Sequence, residues 1–289
     1  MIVSNGWPAP AKINLFLHIN HRREDGYHDL QTVFQFIDLC DEIDFKIRDD
    51  GRIMQGSEIA GVSSEDDLTV RAAKLLKEHS SCTKGVTITV RKRIPMGAGL
   101  GGGSSDAATV LVALNVLWGL NLPESDLISL GLMLGADVPV FVRGTSAWAE
   151  GVGERLVPFS PEKGPVFLIV PNCEVSTQEI FNDPLLTRDT DTIRMQEFSL
   201  ARTHNDCEPV TRRLYPSVDK ALDWLKDYCP SRMSGTGSGV FALFESREKA
   251  ERVNNELPKD WVGFMTERTN RSPLLKKIDQ ELLVLEQLL

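Results

Sequence analysis

Cysteine is scarce in this chain and poorly placed for bonding. Cys40, Cys82, Cys173, Cys207 and Cys229 are odd in number, scattered, and never spaced as Cys-x-x-Cys. That pattern excludes a disulfide framework and a thiolate zinc site, and it fits a reducing cytoplasm. Positive charge is also short: 32 Lys and Arg against 41 Asp and Glu leave a net charge of −9. This is the wrong sign for a nucleic-acid or anionic-membrane binder, so neither partner is expected, and any anionic ligand must be held locally. Long apolar runs are missing too. Residues 107–120 and 127–142 fall short of a membrane span of roughly 20 residues, and the second stretch contains Asp137. The opening MIVSNGWPAPAK has neither the basic start and apolar core of a signal peptide nor the Arg- and Ser-rich character of a transit peptide, so a cytoplasmic location is expected. Internal repeats and low-complexity tracts are absent, which sets solenoids aside.

What remains is an ordinary globular composition, 42% hydrophobic and 25% charged over 289 residues. That length predicts two domains. Residues 11–19 alternate, placing Ile13, Leu15, Leu17 and Ile19 on one strand face and Lys12, Asn14, Phe16 and His18 on the other. Asp25-Gly26 marks a turn, and residues 33–36 and the alternating Ile43, Phe45 and Ile47 read as further strands. Ser64 can cap a helix carrying Leu68, Ala72, Leu75 and Leu76, and Val86, Ile88 and Val90 mark a strand that runs into glycine. A helix follows from about Ser104-Ser105, with no breaker until Gly119, and another spans about 125–135. A buried strand is expected at 166–170 after a small-residue segment, and a boundary near 157–164 divides the chain into 1–160 and 161–289. In the second half, helices at 217–228 and 246–257 flank a strand at 240–244, so the fold class is α+β. Ser272-Pro273 opens a last amphipathic helix with Leu274, Leu275, Ile278, Leu282, Leu285 and Leu289 at helical spacing. It is expected to pack on its own domain rather than form a dimer seam, giving a monomer or weak homodimer.

Five glycines in seven positions, Gly97, Gly99, Gly101, Gly102 and Gly103, would be costly in a plain turn and imply that something approaches the backbone closely. With a helix N-terminus just behind, such a loop is a phosphate cradle; the plainer alternative is a flexible hinge. Common phosphate loops do not match. No lysine follows Gly103, which removes the P-loop, and no second strand ends in an acid, which removes the dinucleotide fold. A helix follows where a protein kinase has a strand. Asp137 is the one ionisable residue in 130–142, and a lone buried carboxylate needs a cation or hydrogen bonds. Lys12 is the expected partner, and the pair would suit phosphoryl transfer; an exposed helix-end aspartate is the other reading. Ser234-Gly-Thr-Gly-Ser-Gly239 forms a second glycine run, suited to approach a ligand or the first loop. Tyr27-His28 could stack on and hydrogen-bond a base, or simply pack beside a hairpin. No His or Cys cluster suggests a metal site.

Three segments, Pro10-Ala-Lys-Ile-Asn14, the loop from Pro95 to Ala108, and Ser234-Gly-Thr-Gly237, together resemble the motifs of the GHMP small-molecule kinases, in the same order. Asp25-Gly-Tyr-His28, Leu134-Gly-Ala-Asp-Val-Pro139 and Asn205-Asp206 resemble the signatures of a branch that acts on a cytidine diphosphate conjugate. The resemblance implies an N-terminal domain like the second domain of ribosomal protein S5, a ferredoxin-like C-terminal domain, and a cleft between them. It implies ATP-dependent phosphorylation of the conjugate's 2-hydroxyl in the non-mevalonate isoprenoid pathway, with Mg²⁺ accompanying ATP. By the same resemblance Asp137 is the base, Lys12 its charge partner and Asn14 a substrate contact. Pro95, Gly97, Ala98, Gly99, Leu100, Gly101, Gly102, Gly103, Ser104 and Ser105 would hold ATP phosphates, with Lys92 near the adenosine. Tyr27 and Phe181 would sandwich the cytosine, with His28 hydrogen-bonded to it and Thr177 nearby. The competing function is a catalytically silent nucleotide-binding or regulatory protein, against which the presence of both Lys12 and Asp137 argues. Asp106, beside the expected phosphates, is read as favouring the helix N-terminus.

Overall fold

The computed structural model describes residues 2–59 and 61–286. Two long antiparallel strands form its spine, β1 (Val3–Arg22) and β2 (His28–Arg48), joined at the turn predicted from Asp25-Gly26. There the Gly26 N–H donates to Arg23 O at 3.1 Å. The first half continues with β3 (Ile53–Gln55), α1 (Leu68–Ser80), β4 (Gly85–Arg91), α2 (Gly102–Leu117), α3 (Glu124–Leu134), α4 (Val138–Arg143), β5 (Ala147–Glu150) and β6 (Arg155–Pro158). The second supplies β7 (Gly164–Val170), α5 (Thr177–Asn182), α6 (Glu208–Leu214), α7 (Pro216–Lys226), β8 (Ser231–Met233), β9 (Val240–Leu243), α8 (Arg247–Asn255), β10 (Val262–Thr269) and α9 (Pro273–Glu286). The strands form one sheet ordered β3-β4-β2-β10-β7-β9-β8, with β1 and β5 also pairing with β2, and β6 with β5.

β2 carries the sheet across the molecule, because its Phe36 and Ile37 pair with Thr269 and Arg268 of β10. The strands expected separately at 33–36 and 43–47 are therefore one. The acidic residues between them do not interrupt it: Asp38 accepts the Glu267 N–H at 2.9 Å, and the fully buried Asp41 accepts the N–H groups of Arg93 and Ile94 at 2.5 and 2.8 Å. One core lies in the first half, with Phe45, Leu111, Leu114 and Phe141 buried, and another in the second, with Phe167, Ile169, Leu222 and Val240. Ile13, Phe16, Trp148, Leu168 and Phe241 fill the space between them.

The alternation along β1 holds, but neither face meets water: Lys12, Asn14 and His18 are each 3% exposed. Register shifts at Pro10/Lys12 and Asn14/Leu17 bend the strand where the two polar side chains emerge. Asp67 caps α1 in the role expected of Ser64, accepting the Thr69 N–H at 2.8 Å. α2 begins at Gly102, earlier than the serines, because Gly101 as its N-cap turns the chain in a left-handed conformation at φ +71°.

The packing of α9 differs from expectation. Ser272 does cap it, accepting the Leu274 N–H at 3.2 Å. However, Leu274 is buried in the first-half core and the helix lies against β1 and α2. The Ser272 N–H donates to Gly144 O at 2.8 Å and the Ser146 N–H to Asn270 O at 3.0 Å. The cause is topological: β10 ends beside β2, so the chain leaves the sheet over the first half rather than its own. Of the leucine stripe, Leu289 and the Leu285 side chain lie outside the described residues. Among the described residues, no helix is long and apolar enough to cross a membrane.

Candidate active site

Lys12 and Asp137 meet. The buried ammonium of Lys12 lies 3.2 Å from Asp137 Oδ2, donates to Asn14 Oδ1 at 2.7 Å and to Gly99 O at 3.1 Å, and stands 5.3 Å from the centre of the Phe34 ring. Three acceptors thus hold one cation in place. Asp137 stands at the N-terminus of α4 with its side chain one-third exposed, so its carboxylate meets both the lysine and open space. Asn14 is fixed in turn, its Nδ2 donating to Thr32 Oγ1 at 2.9 Å and its backbone N–H to Ser234 Oγ at 3.2 Å.

The two glycine runs are built against each other. The N–H groups of Ser238 and Gly239 donate to Gly97 O and Ala98 O at 3.0 and 3.1 Å, the Ser234 hydroxyl donates to Gly99 O at 2.8 Å, and the Lys12 N–H donates to Leu100 O at 3.0 Å. What approaches the first loop most closely is therefore protein. At Gly99 (φ +67°) a Cβ would sink into the Ser234 carbonyl, and at Gly101 it would meet the Phe141 ring at 2.7 Å and Lys12 Cε at 3.2 Å. Asn205 braces the second run, its Nδ2 donating to Met233 O at 2.9 Å and Gly235 O at 2.8 Å, while Asp206 accepts the Ile19 N–H at 2.6 Å.

Behind the loop, Ser105 donates its N–H to Gly101 O, leaving the N–H groups of Gly102, Gly103 and Ser104 in the first turn of α2 without intrahelical partners. Their partial positive charge suits an anion. Lys92 is committed elsewhere, bridging Asp41 at 2.5 Å and Asp106 at 2.6 Å. Burial opposes its charge, but the two carboxylates outweigh that and hold its pKa above the ordinary lysine value. Burial pushes the Asp106 carboxyl up to about 7 against the pull of Lys92. Asp106 is thus a member of a buried ion cluster, beyond the helix-end role expected of it. Ser105 Oγ and Asp106 Oδ1 are buried without a partner.

A cavity of about 700 Å³ joins these parts to the second half. Its walls include Lys12, Asn14 and Asp137, then Gly99, Gly101 and Ser104, together with Tyr27, His28, Thr177 and Phe181. The structure therefore brings together ten of the expected residues. Pro95, Gly97, Ala98, Leu100, Gly102, Gly103, Ser105 and Lys92 do not line it; Ala98, Leu100 and Ser105 are buried in the support of the loop. Among these the Phe181 ring lies 5.2 Å from the His28 ring at 32°, while Tyr27 is 63% exposed. Thr177 Oγ1 lies 3.0 Å from Thr236 Oγ1, linking α5 to the second glycine run. Thr32 and Phe34 are additions that the sequence reading misses, whereas Thr236 lies within the second glycine run already expected to approach a ligand or the first loop. Thr32 could have been found opposite Leu17 near Asn14 on the paired strand; no signal in the sequence marks Phe34.

Such a site has a fixed cation, a carboxylate open to an alcohol, and free N–H groups for phosphates. The family model described as the GHMP kinases N terminal domain matches residues 67–145, and that described as GHMP kinases C terminal matches residues 186–263. The chain is 51% identical over 278 residues to a 4-diphosphocytidyl-2-C-methyl-D-erythritol kinase of Shewanella loihica, covering 96% of this chain and 98% of the relative. A kinase of the same name from Nitrosococcus oceani is 51% identical, covering 95% and 98%. Among solved structures, a 4-(cytidine 5'-diphospho)-2C-methyl-D-erythritol kinase superposes with a TM-score of 0.76 at 33% identity, covering 92% of this chain and 99% of that one. The mevalonate kinase of Methanococcus jannaschii shares the fold alone, with a TM-score of 0.66 at 17% identity over 93% and 98% of the two chains.

Proposed function

The chain belongs to the 4-diphosphocytidyl-2-C-methyl-D-erythritol kinase family of the GHMP kinases, and from that premise we propose how its residues carry out the reaction. It is an ATP-dependent kinase of the non-mevalonate isoprenoid pathway, transferring the γ-phosphoryl group of ATP to the 2-hydroxyl of the cytidine diphosphate conjugate. The silent nucleotide-binding alternative is not supported. The observation that carries the mechanism is the Lys12–Asp137 pair at 3.2 Å, set between the glycine loop and the base end of one cavity.

The Asp137 carboxylate takes the proton of the 2-hydroxyl as its oxygen attacks the γ-phosphorus, and ADP leaves. Lys12 holds that carboxylate in place and stabilises negative charge on the attacking and transferred oxygens. Its position is set in advance by Asn14 and Gly99 O, so no reorganisation is needed as the charge develops. The N–H groups at the start of α2 hold the phosphates, with Ser104 at the cavity wall. Mg²⁺ enters as part of the substrate MgATP, which brings phosphate oxygens as ligands; among the described residues no cluster of three His, Cys, Asp or Glu forms a cage for it. Tyr27 and Phe181 flank the cytosine, His28 hydrogen-bonds it, and Thr177 lies nearby. Residues 1–160 form the ATP-binding unit and 161–289 the second unit, with α9 returning onto the first.

ATP consumption by the purified protein with Mg²⁺ and the cytidine conjugate tests this reading, run beside Asp137→Ala and beside homoserine and mevalonate as acceptors. Turnover with the conjugate alone, lost in Asp137→Ala, is expected. Turnover with another acceptor would keep the phosphate site and overturn the assignment of Tyr27, His28 and Phe181.

A further inference from the structure

A pocket that reads cytosine must separate two bases whose edges differ by a proton. Cytosine N3 accepts a hydrogen bond, whereas uracil N3 donates one. An uncharged histidine can meet either, depending on which ring nitrogen carries its proton. What lies behind the ring therefore decides what it presents in front.

Behind His28 lies Arg188, whose Nε donates to His28 Nε2 at 3.1 Å. A guanidinium has donors only and keeps its proton, so Nε2 must be the bare nitrogen and the proton sits on Nδ1. The guanidinium cannot turn away easily. Its Nη2 donates to Phe181 O at 3.0 Å and Asp183 O at 2.7 Å, and its Nη1 to Leu186 O at 3.1 Å. One side chain thereby ties His28 on β2 to the end of α5, which carries the Phe181 ring. No described residue takes up Nδ1, and it is not among the buried polar atoms left without a partner. It is free to meet a ligand in the cavity that His28 lines.

We infer that Arg188 is a positioning residue for base recognition, holding His28 as the Nδ1–H tautomer so that the ring offers a donor to the acceptor edge of cytosine and opposes uracil. The inference rests on the proposed reading of this cavity as the site of the cytidine conjugate. Burial, with the positive charges of Arg188 and Arg22, also holds the His28 pKa below the ordinary histidine value, which keeps the ring uncharged near neutrality.

The full chain is tested in two ways. Nitrogen-15 NMR of histidine-labelled protein, with His28 assigned by His28→Gln, reads the tautomer directly. Protonated Nδ1 and bare Nε2 are expected, and a proton on Nε2 overturns the inference. Steady-state kinetics then compare wild type with Arg188→Met on the cytidine conjugate and its uridine analogue. The variant should show mixed tautomers, a KM for the cytidine conjugate raised roughly tenfold, about the weight of one hydrogen bond, and a cytidine preference reduced roughly tenfold. Its kcat at saturation and its KM for ATP should stay within about twofold, because the reacting atoms are untouched. A folded variant with the wild-type preference overturns the inference; should the variant not fold, the wild-type tautomer decides. A wild type inactive on the cytidine conjugate but active on another alcohol sinks the substrate reading instead, and the inference with it, whatever the tautomer.

Discussion

Alanine at Gly99, set against alanine at Gly103, separates the glycines that serve packing from those that serve phosphate. Gly99 has φ +67°, a conformation that costs a residue with a Cβ about 1–2 kcal/mol. The added methyl would sink into the Ser234 carbonyl, with Ser234 C at 2.9 Å and Gly237 O at 3.0 Å. Both neighbours are backbone, pinned by the bonds from Ser238 and Gly239 to the first loop, so neither can rotate aside. Overpacking of this kind costs about 1–3 kcal/mol more, for a total of about 2–5 kcal/mol. With an unfolding entropy of roughly 0.6 kcal/mol/K at this chain length, the melting temperature should fall by about 3–8 °C. Gly103 lies in the first turn of α2, and its Cβ would find only Leu68 Cδ1 at 3.4 Å. Gly103→Ala should keep or raise the melting temperature, since alanine favours a helix by up to about 1 kcal/mol. Its KM for ATP should rise roughly tenfold, because the methyl crowds the N–H groups offered to the phosphates. Calorimetry and ATP kinetics on the two variants check this. A Gly99→Ala protein as stable as wild type, or a Gly103→Ala protein that loses stability and keeps its ATP affinity, would refute the division.

Asp137→Asn should lower kcat by about 10²–10⁴-fold, the worth of a general base, with little change in either KM in initial-rate assays. Lys12→Met preserves the buried apolar stem and should lower kcat by about 10²–10³-fold; full activity in that variant would remove lysine from the mechanism. Asp106, raised to about 7 by burial, stays protonated in the fold at pH values where the unfolded chain has released its proton. Its contribution to stability is therefore present below the ordinary carboxyl range and lost as pH rises toward 7. Thermal unfolding from pH 4.5 to 7.5 should show a steeper decline in wild type than in Asp106→Asn, and parallel curves would contradict the raised value. The Cys40 thiol, pushed up to about 12 by burial and then by Asp38 and Asp41, should alkylate at pH 8 roughly a thousandfold more slowly than a free cysteine, as read by mass spectrometry.

Lys12 and Asp137 are readable from sequence because each is a charge in otherwise apolar surroundings, where an unpaired ion would be costly. The strand, glycine loop and helix from Val86 to Leu117 are readable for a similar reason: their signals are local. Other parts depend on contacts between distant segments. β10 has weak alternation, and its Arg268 is buried only because Gly164 and Lys163 present carbonyls to it. Short strands such as β5 and β8 exist because longer neighbours pair with them. Lys92 reads as a free cation until Asp41, on β2, and Asp106, in α2, are folded against it. Arg188 sits in a stretch with no regular structure, and nothing in its neighbours distinguishes it from a solvated arginine.

The return of α9 onto the first half sets the order in which a newly made chain can finish folding. Leu274 belongs to a core otherwise built from residues that precede it by more than a hundred positions, and the Gly144 carbonyl waits for Ser272. While the chain is being synthesised, the first half can collapse early but keeps an uncovered apolar seam until α9 emerges from the ribosome. Closure is thus a late, long-range step of the kind that slows folding and exposes intermediates to aggregation. A chain ended before Ser272 would leave that seam permanently open, so damage to α9 would be felt first in the other half of the molecule.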